Sequence, residues 1–492
     1  MADRMTRSGA LLAGLLILFL QGCMVGPDYE AAEMALPDAW PEQALLSPEE
    51  GEHWLDWWTH FDDEDLNQVI ALAMADNPDV QLQIARVAEA RARLGFAEAD
   101  RLPSLDVQGD AARERQSGAS FPVPGFGGIR NAFSVSAVLG YELDLWGRVA
   151  REEEAARAML AQTTFGRDAV RLQVITDVVT TYVNLRTAQR ELDITRSTLA
   201  SRERGVEIEQ MRRDAGESDE LALRQAEAEL ETLRVRLPMQ RHQVHELEGV
   251  LAVLLGLTPA ELMAELSFGD GELTDIAVPQ AVPAVLPADL LQRRPDMRAA
   301  EAELMAATAQ IGAAQAARLP QINLRAAIGS AAIESSDLFT GEAETWGVGA
   351  SVVAPLVDFG RRRANVDASL AVRDQAEIQY RATALMAFNE VRDALSLYEI
   401  SLERTAAAER QVAALSRTRE VARMRYDEGF VDFITLLDAE RGLLDAELSR
   451  AQVLRDQLVS TAGLFKALGG GWSDETSMED VMVPPGETVV DE

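Results

Sequence analysis

The chain repeats itself. Asn77-Pro78-Asp79 opens a stretch that ends at Arg101-Leu102-Pro103, and Arg294-Pro295-Asp296 opens one that ends at Arg318-Leu319-Pro320, both ends displaced by 217 residues. Farther on the displacement falls to 213: Trp146-Gly147-Arg148 matches Phe359-Gly360-Arg361, and Asp214-Ala215-Gly216 matches Asp427-Glu428-Gly429. Such a repeat constrains the fold more than any single motif, because whatever one copy builds the other must build again beside it. Residues 64–255 and 281–468 are read as two copies of one plan, with 23–63 as an N-terminal segment, 256–280 as a linker and 469–492 as a C-terminal tail, flexible from Ser473.

Each copy reads as helix, strand, loop, strand, long helix, turn, helix. Residues 78–100 are rich in Ala, Glu, Arg and Leu without an internal proline, which favours helix until Pro103. Leu105, Val107, Gly109 and Ala111 then alternate with polar partners, as do Phe133, Val135, Ala137, Leu139, Tyr141, Leu143 and Leu145. Copy two repeats this with Ile322, Leu324, Ala326 and Ile328, then Trp346, Val348, Ala350 and Val352. A period of two predicts strands with one apolar face, and 112–131 and 330–345 are expected as exposed loops. From Gly147 to Arg213 apolar residues recur every seven, at Val178, Leu185, Leu192, Leu199 and Val206. The returning helix carries Leu223, Leu230, Leu237, Val244 and Leu251, and also Ala226, Leu233, Gln240, Leu247 and Leu254. Sustained heptads predict coiled-coil packing, with Pro238 kinking the second helix rather than ending it. Helix 147–213 has 67 residues, about 100 Å at ~1.5 Å each. Helices 78–100 and 218–255 together have 61, as do 295–317 and 431–468 beside the 68 residues of 360–427. Two short helices stacked end to end can therefore flank each long one.

Four strands of about ten residues have outer-membrane length and alternation. Four cannot close a barrel, and open edges are excluded from lipid, so two, three or four chains must pool their strands.

The start of the chain agrees. Arg4 and Arg7 precede the apolar run Ala10 to Leu20, followed by Leu20-Gln21-Gly22-Cys23. A basic end, a short apolar core and small residues read as a secretory signal over 1–22, too short to span a bilayer. The run ends on the lone cysteine in a pattern that resembles a lipobox, which implies that Cys23 is acylated and becomes the mature N-terminus. One cysteine excludes an intrachain disulfide or thiolate cluster. The net charge of −35 argues against nucleic acid and against a basic face on anionic lipid.

Cys23-Met24-Val25-Gly26-Pro27-Asp28-Tyr29 resembles the mature start of TolC/OprM-type outer-membrane efflux lipoproteins, the NodT-like branch. Tyr141-Glu142-Leu143-Asp144-Leu145-Trp146-Gly147-Arg148, Asp289-Leu290-Leu291-Gln292-Arg293-Arg294-Pro295-Asp296 and Lys466-Ala467-Leu468-Gly469-Gly470-Gly471-Trp472 are similar to that family too. The resemblance implies an α+β membrane protein, a homotrimer whose pooled strands form one outer-membrane barrel continued by an α-helical coiled-coil tunnel in the periplasm. It further implies an exit duct of a tripartite pump, working with a periplasmic adaptor and an inner-membrane transporter of the RND type. The alternative is a lipid-anchored periplasmic coiled-coil scaffold without a pore.

The helical tips, 211–221 and 424–434, diverge between copies. Tyr426 stands where Arg213 does, Ile434 where Leu221 does and Asp438 where Gln225 does. Ile434 and Asp438 share a helix face; by resemblance they are the apolar and acidic rings of a periplasmic aperture, and Tyr426 helps hold the tips closed. Some relatives carry an arginine where Val431 stands and an acid where Thr435 stands, so their lock does not transfer unchanged. His242 and His245, and His53 and His60 among acids, read as solvated rather than metal ligands. Trp54, Trp57, Trp58 and Phe61 are expected to pack the N-terminal segment onto the helices. No phosphate loop, nucleophile elbow or HExxH occurs, so no catalysis, cofactor or metal is implied.

Overall fold

The computed structural model describes residues 24–31, 34–37, 39–40, 46–47, 55–117, 128–265, 272–279, 282–283 and 287–472. The expected signal peptide, Cys23, His53, Trp54 and the tail from Ser473 lie outside them.

Repeat one comprises α1 (Glu64–Asp76), α2 (Pro78–Ala99), β1 (Ser104–Gln116), β2 (Gly128–Leu143), α3 (Arg148–Asp214) and α4 (Glu220–Leu254). Repeat two comprises α5 (Pro295–Ala316), β3 (Gln321–Ala332), β4 (Glu344–Val353), α6 (Arg361–Asp427) and α7 (Phe433–Ala467). Both long helices are 67 residues and both returning helices 35. Helix α4 runs through Pro238 without ending. Two expectations need correction. The strands of the first hairpin extend into the expected loop, to Gln116 on one side and from Gly128 on the other, because continued ladder pairing satisfies their backbone groups. Leu145 falls outside β2, where the chain turns toward the Gly147 cap of α3, at φ 73.

The helices form layers. α2 and α4 lie along one flank of α3, while α5 and α7 lie between α3 and α6. End-to-end stacking is bonded in the same way twice: Asn77 Nδ2 donates to the Leu254 carbonyl at 2.8 Å, and Arg294 Nη1 to the Ala467 carbonyl at 2.9 Å. The second pair is the first carried forward by the two displacements. The main core sits at this level. Trp57 and Phe61 are fully buried in it, with Trp57 stacked on Phe465 at 5.3 Å, as expected for these aromatics. Among the described residues no helix is long and apolar enough to cross a membrane.

The four strands make one antiparallel sheet in the order β1-β2-β3-β4. Its register aligns Leu105, Leu139, Ala326 and Val348 in one row and Val107, Ala137, Ile328 and Trp346 in the next.

Candidate functional site

Two regions carry what the chain can do: the apolar sheet face and the helical tips. Every apolar position of the alternating runs that lies within a strand registers onto the same face. That face is open in the single chain, with Leu105 70%, Val107 77%, Trp346 77% and Val348 79% exposed. Opposite it stand Asp106, Gln108, Asp110, Ser134, Ser136, Arg325 and other polar or small residues. Apolar out and polar in is the signature of a barrel strand in lipid, since water would penalise a contiguous apolar band of this size. The outward band turns polar at Arg113 and Asn131, which pair with each other where the hairpin leaves the band.

At the far end, each helical hairpin turns through a glycine in the left-handed region, Gly216 at φ 75 and Gly429 at φ 77. The Glu217 N–H donates to the Arg212 carbonyl and the Phe430 N–H to the Arg425 carbonyl, both at 2.8 Å, closing Schellman turns. Asp219 and Asp432 then cap α4 and α7.

Tyr426 is buried beside Ala422, Leu436 and Ala439, its ring edge-on to Phe433 at 5.8 Å. Its hydroxyl donates to Glu209 Oε1 at 2.5 Å. Glu209 also accepts from Ser218 Oγ at 3.0 Å, and Arg212 lies 3.9 Å from it with its guanidinium 4.8 Å above the Tyr426 ring. Burial, reinforced by the neighbouring Glu209 carboxylate, pushes the Tyr426 hydroxyl well above its ordinary pKa. Ile434 is half-buried one turn before Asp438, which is exposed although Leu437 and Ala439 beside it are buried. Arg441 lies 3.3 Å from Asp438 and also pairs with Glu229 of α4. Val431 packs against the Tyr426 cluster, and Thr435 Oγ1 donates to the capping Asp432 at 2.5 Å. The structure thus brings Tyr426 to repeat one and leaves Ile434 and Asp438 on an outer face of α7.

Glu209, Arg202 and Glu440 were not singled out from the sequence, yet Glu209 is buried and Arg202 of α3 pairs with Glu440 of α7, toward which Arg423 also reaches at 4.0 Å. A signal existed. Three residues after each member of the Val178 series stand Thr181, Ala188, Thr195, Arg202 and Glu209, all buried. A second heptad seam that changes from small to charged near the tip marks where buried ion pairs form.

His242 and His245 are exposed, near Glu246 at 3.6 Å and Glu248 at 3.0 Å. Among the described residues no cluster of three or more His, Cys, Asp or Glu is placed to hold a metal.

The outer membrane efflux protein family model matches residues 69–257 and 286–470. A toluene efflux pump outer membrane protein of Pseudomonas putida, TtgF, is 33% identical over 93% of this chain and 96% of its own. The cation efflux system protein CusC of Escherichia coli is 30% identical over 94% of this chain and 98% of its own. The solved outer-membrane channel OprN superposes with a TM-score of 0.84 at 31% identity, over 92% of this chain and all of that one. With an open apolar sheet face, helical hairpin tips at the far end and these relatives over nearly its whole length, the chain belongs to the outer membrane efflux protein family and is, like its members, an outer-membrane export duct, not an enzyme.

Proposed function

We propose that three copies of the chain pool their strands into one barrel and their helices into one tunnel, forming the passive exit duct of a tripartite efflux pump. The observation that carries this reading is the sheet: β1 and β4 each have one edge without a partner among the described residues, while its outward face is apolar. Such edges cannot remain unpaired in lipid. The work of transport comes from an inner-membrane transporter, of the RND type, through a periplasmic adaptor that engages the tips. Relatives named for toluene and for cations share this family, so the duct does not define the cargo, and the transporter selects it.

Cys23 is the lipid anchor in this reading. The Val25 N–H donates to the Trp146 carbonyl at 3.1 Å, and Met24 packs over Gly147, just beyond the end of β2. An acyl chain on the preceding residue would enter the inner leaflet beside the barrel. At the other end, Tyr426 holds the tip shut, with Ile434 as the apolar constriction and Asp438 as the acidic ring. Purified protein should run as a heat-modifiable oligomer of three chains and conduct ions in planar bilayers. A water-soluble monomer without conductance would instead favour the pore-free scaffold.

A further inference from the structure

We infer that the seam between protomers repeats the internal β2·β3 junction, and that Phe359 is the wedge that closes it. The inference rests on the trimer reading and adds a residue-level register to it.

The duplication carries pairing as well as sequence. Displacing β1 by 217 and β2 by 213 turns Ser104↔Gly140 into Gln321↔Val353 and Ala111↔Phe133 into Ile328↔Trp346, both of which are observed β3·β4 pairs. Among the described strands only the β2·β3 junction has no second copy. Its counterpart is β4 against β1 of the next subunit. Carried by the same displacements, Ala137↔Ile328 becomes Ala350 opposite the partner subunit's Ala111, and Leu139↔Ala326 becomes Val352 opposite the partner subunit's Gly109. All of β4 then pairs, Val353 with the partner subunit's Gln108 and Glu344 with the partner subunit's Ser117. Outward and inward faces stay in phase. The tightest approach of the internal junction, where a Cβ on Gly329 would lie 2.3 Å from the Val135 carbonyl oxygen and 2.7 Å from Ser136 Cα, falls at Gly349 and the partner subunit's Ala112. The glycine changes strands but is retained.

Below the sheet the parallel continues. Trp146 follows β2 and donates from Nε1 to the Pro320 carbonyl at 2.8 Å, at the entry to β3. Its counterpart Phe359 is 99% exposed and held at φ 54, a conformation that disfavours bulky residues. Among the described residues nothing covers this ring. The matching seat is the partner subunit's Pro103. Phe165, buried with Ala161 and Ala302, maps onto Ile378, 68% exposed, and Ala302 onto the partner subunit's Ala85. Helix α3 is flanked on both sides and α6 on one, so the missing flank is the next subunit's α2 and α4.

The test is disulfide trapping in a Cys23→Ser background, which removes the sole cysteine. Directly opposed antiparallel positions meet disulfide geometry, whereas positions two residues out of register do not. Ala350→Cys with Ala111→Cys should give covalent dimers and trimers on oxidation. Ala350→Cys with Gly109→Cys or with Arg113→Cys should not. Within one chain these positions lie on opposite sheet edges, which alone separates them by about 14 Å at ~4.8 Å per strand, so any link is intermolecular. If trimers form and a displaced pair links instead, the register is wrong while the trimer stands. A stable monomer would remove both. Phe359→Gly relaxes the positive φ and so favours the isolated chain; it should nevertheless lower the dissociation temperature of detergent-resistant trimers, while Phe339→Ser in the exposed β3–β4 loop should not. Unchanged dissociation for Phe359→Gly would overturn the wedge.

Discussion

The Tyr426 hydroxyl and the Glu209 carboxylate, 217 residues apart, form a buried hydrogen bond of 2.5 Å that fastens the tip of repeat two to the tip of repeat one. Glu209 is the more dependent partner, being a buried carboxylate held by Ser218, Arg212 and this hydroxyl.

Tyr426→Phe keeps the ring against Phe433 and removes the donor. Hydrogen bonds to charged groups contribute about 1.5–3 kcal/mol, and the tip should loosen by that order. Single-channel recording should show higher resting conductance; an unchanged closed state would place the fastening elsewhere.

The same pair fixes a pH response. Burial and Glu209 raise the folded tyrosine pKa above its unfolded value of about 10, so the neutral hydroxyl is the stabilised form. Its contribution is complete below about pH 10 and is lost only as pH rises through the raised value. Resting conductance should therefore be independent of Tyr426 titration between pH 7 and 9. A tyrosine-dependent opening in that interval, absent in Tyr426→Phe, would contradict the burial argument.

How much of this was legible follows from what kind of contact each part uses. The Leu223, Leu230, Leu237, Val244, Leu251 series is buried throughout, because heptad spacing is a local property that packing simply reads out. The sheet face was legible for the same reason, alternation being local. Glu209 was not, since a buried carboxylate resembles a surface one until its partner arrives from the other repeat. Leu145 continues the alternation yet lies outside β2, because alternation does not register the turn demanded by the helix cap at Gly147.

Leu139 lies in the row with Leu105 and Ala326 on the lipid-facing side. Leu139→Arg should cost ~2–4 kcal/mol per chain near mid-membrane, and in the proposed trimer three chains carry it. Folding into liposomes should fail or slow sharply, whereas Ser134→Arg on the opposite face, beside Asp110, should insert. The reverse result would exchange the two faces.

Asp438 has a partial counterion in Arg441, which is shared with Glu229. A ring of acids around a narrow opening favours cations. Asp438→Ala should lower cation selectivity in reversal-potential measurements, with Gln225→Ala as the repeat-one control. If only the control altered selectivity, the inner and outer hairpins would be interchanged.

Cys23→Ser should abolish lipid labelling and leave the oligomer in the membrane fraction, since the barrel offers far more apolar area than acyl chains do. Recovery of the variant as a wholly soluble protein would end the barrel reading.

Gly26, at φ 112, sits so close to helix α5 that a Cβ on it would lie 2.4 Å from Gly312 Cα, and Asp28 pairs with Arg151 of α3 at 2.6 Å. These residues leave the ribosome before either repeat, yet their seat is made from both. This segment therefore has nowhere to dock until the second half of the chain has been translated and packed onto the first. Its docking is a late event that reports completed folding.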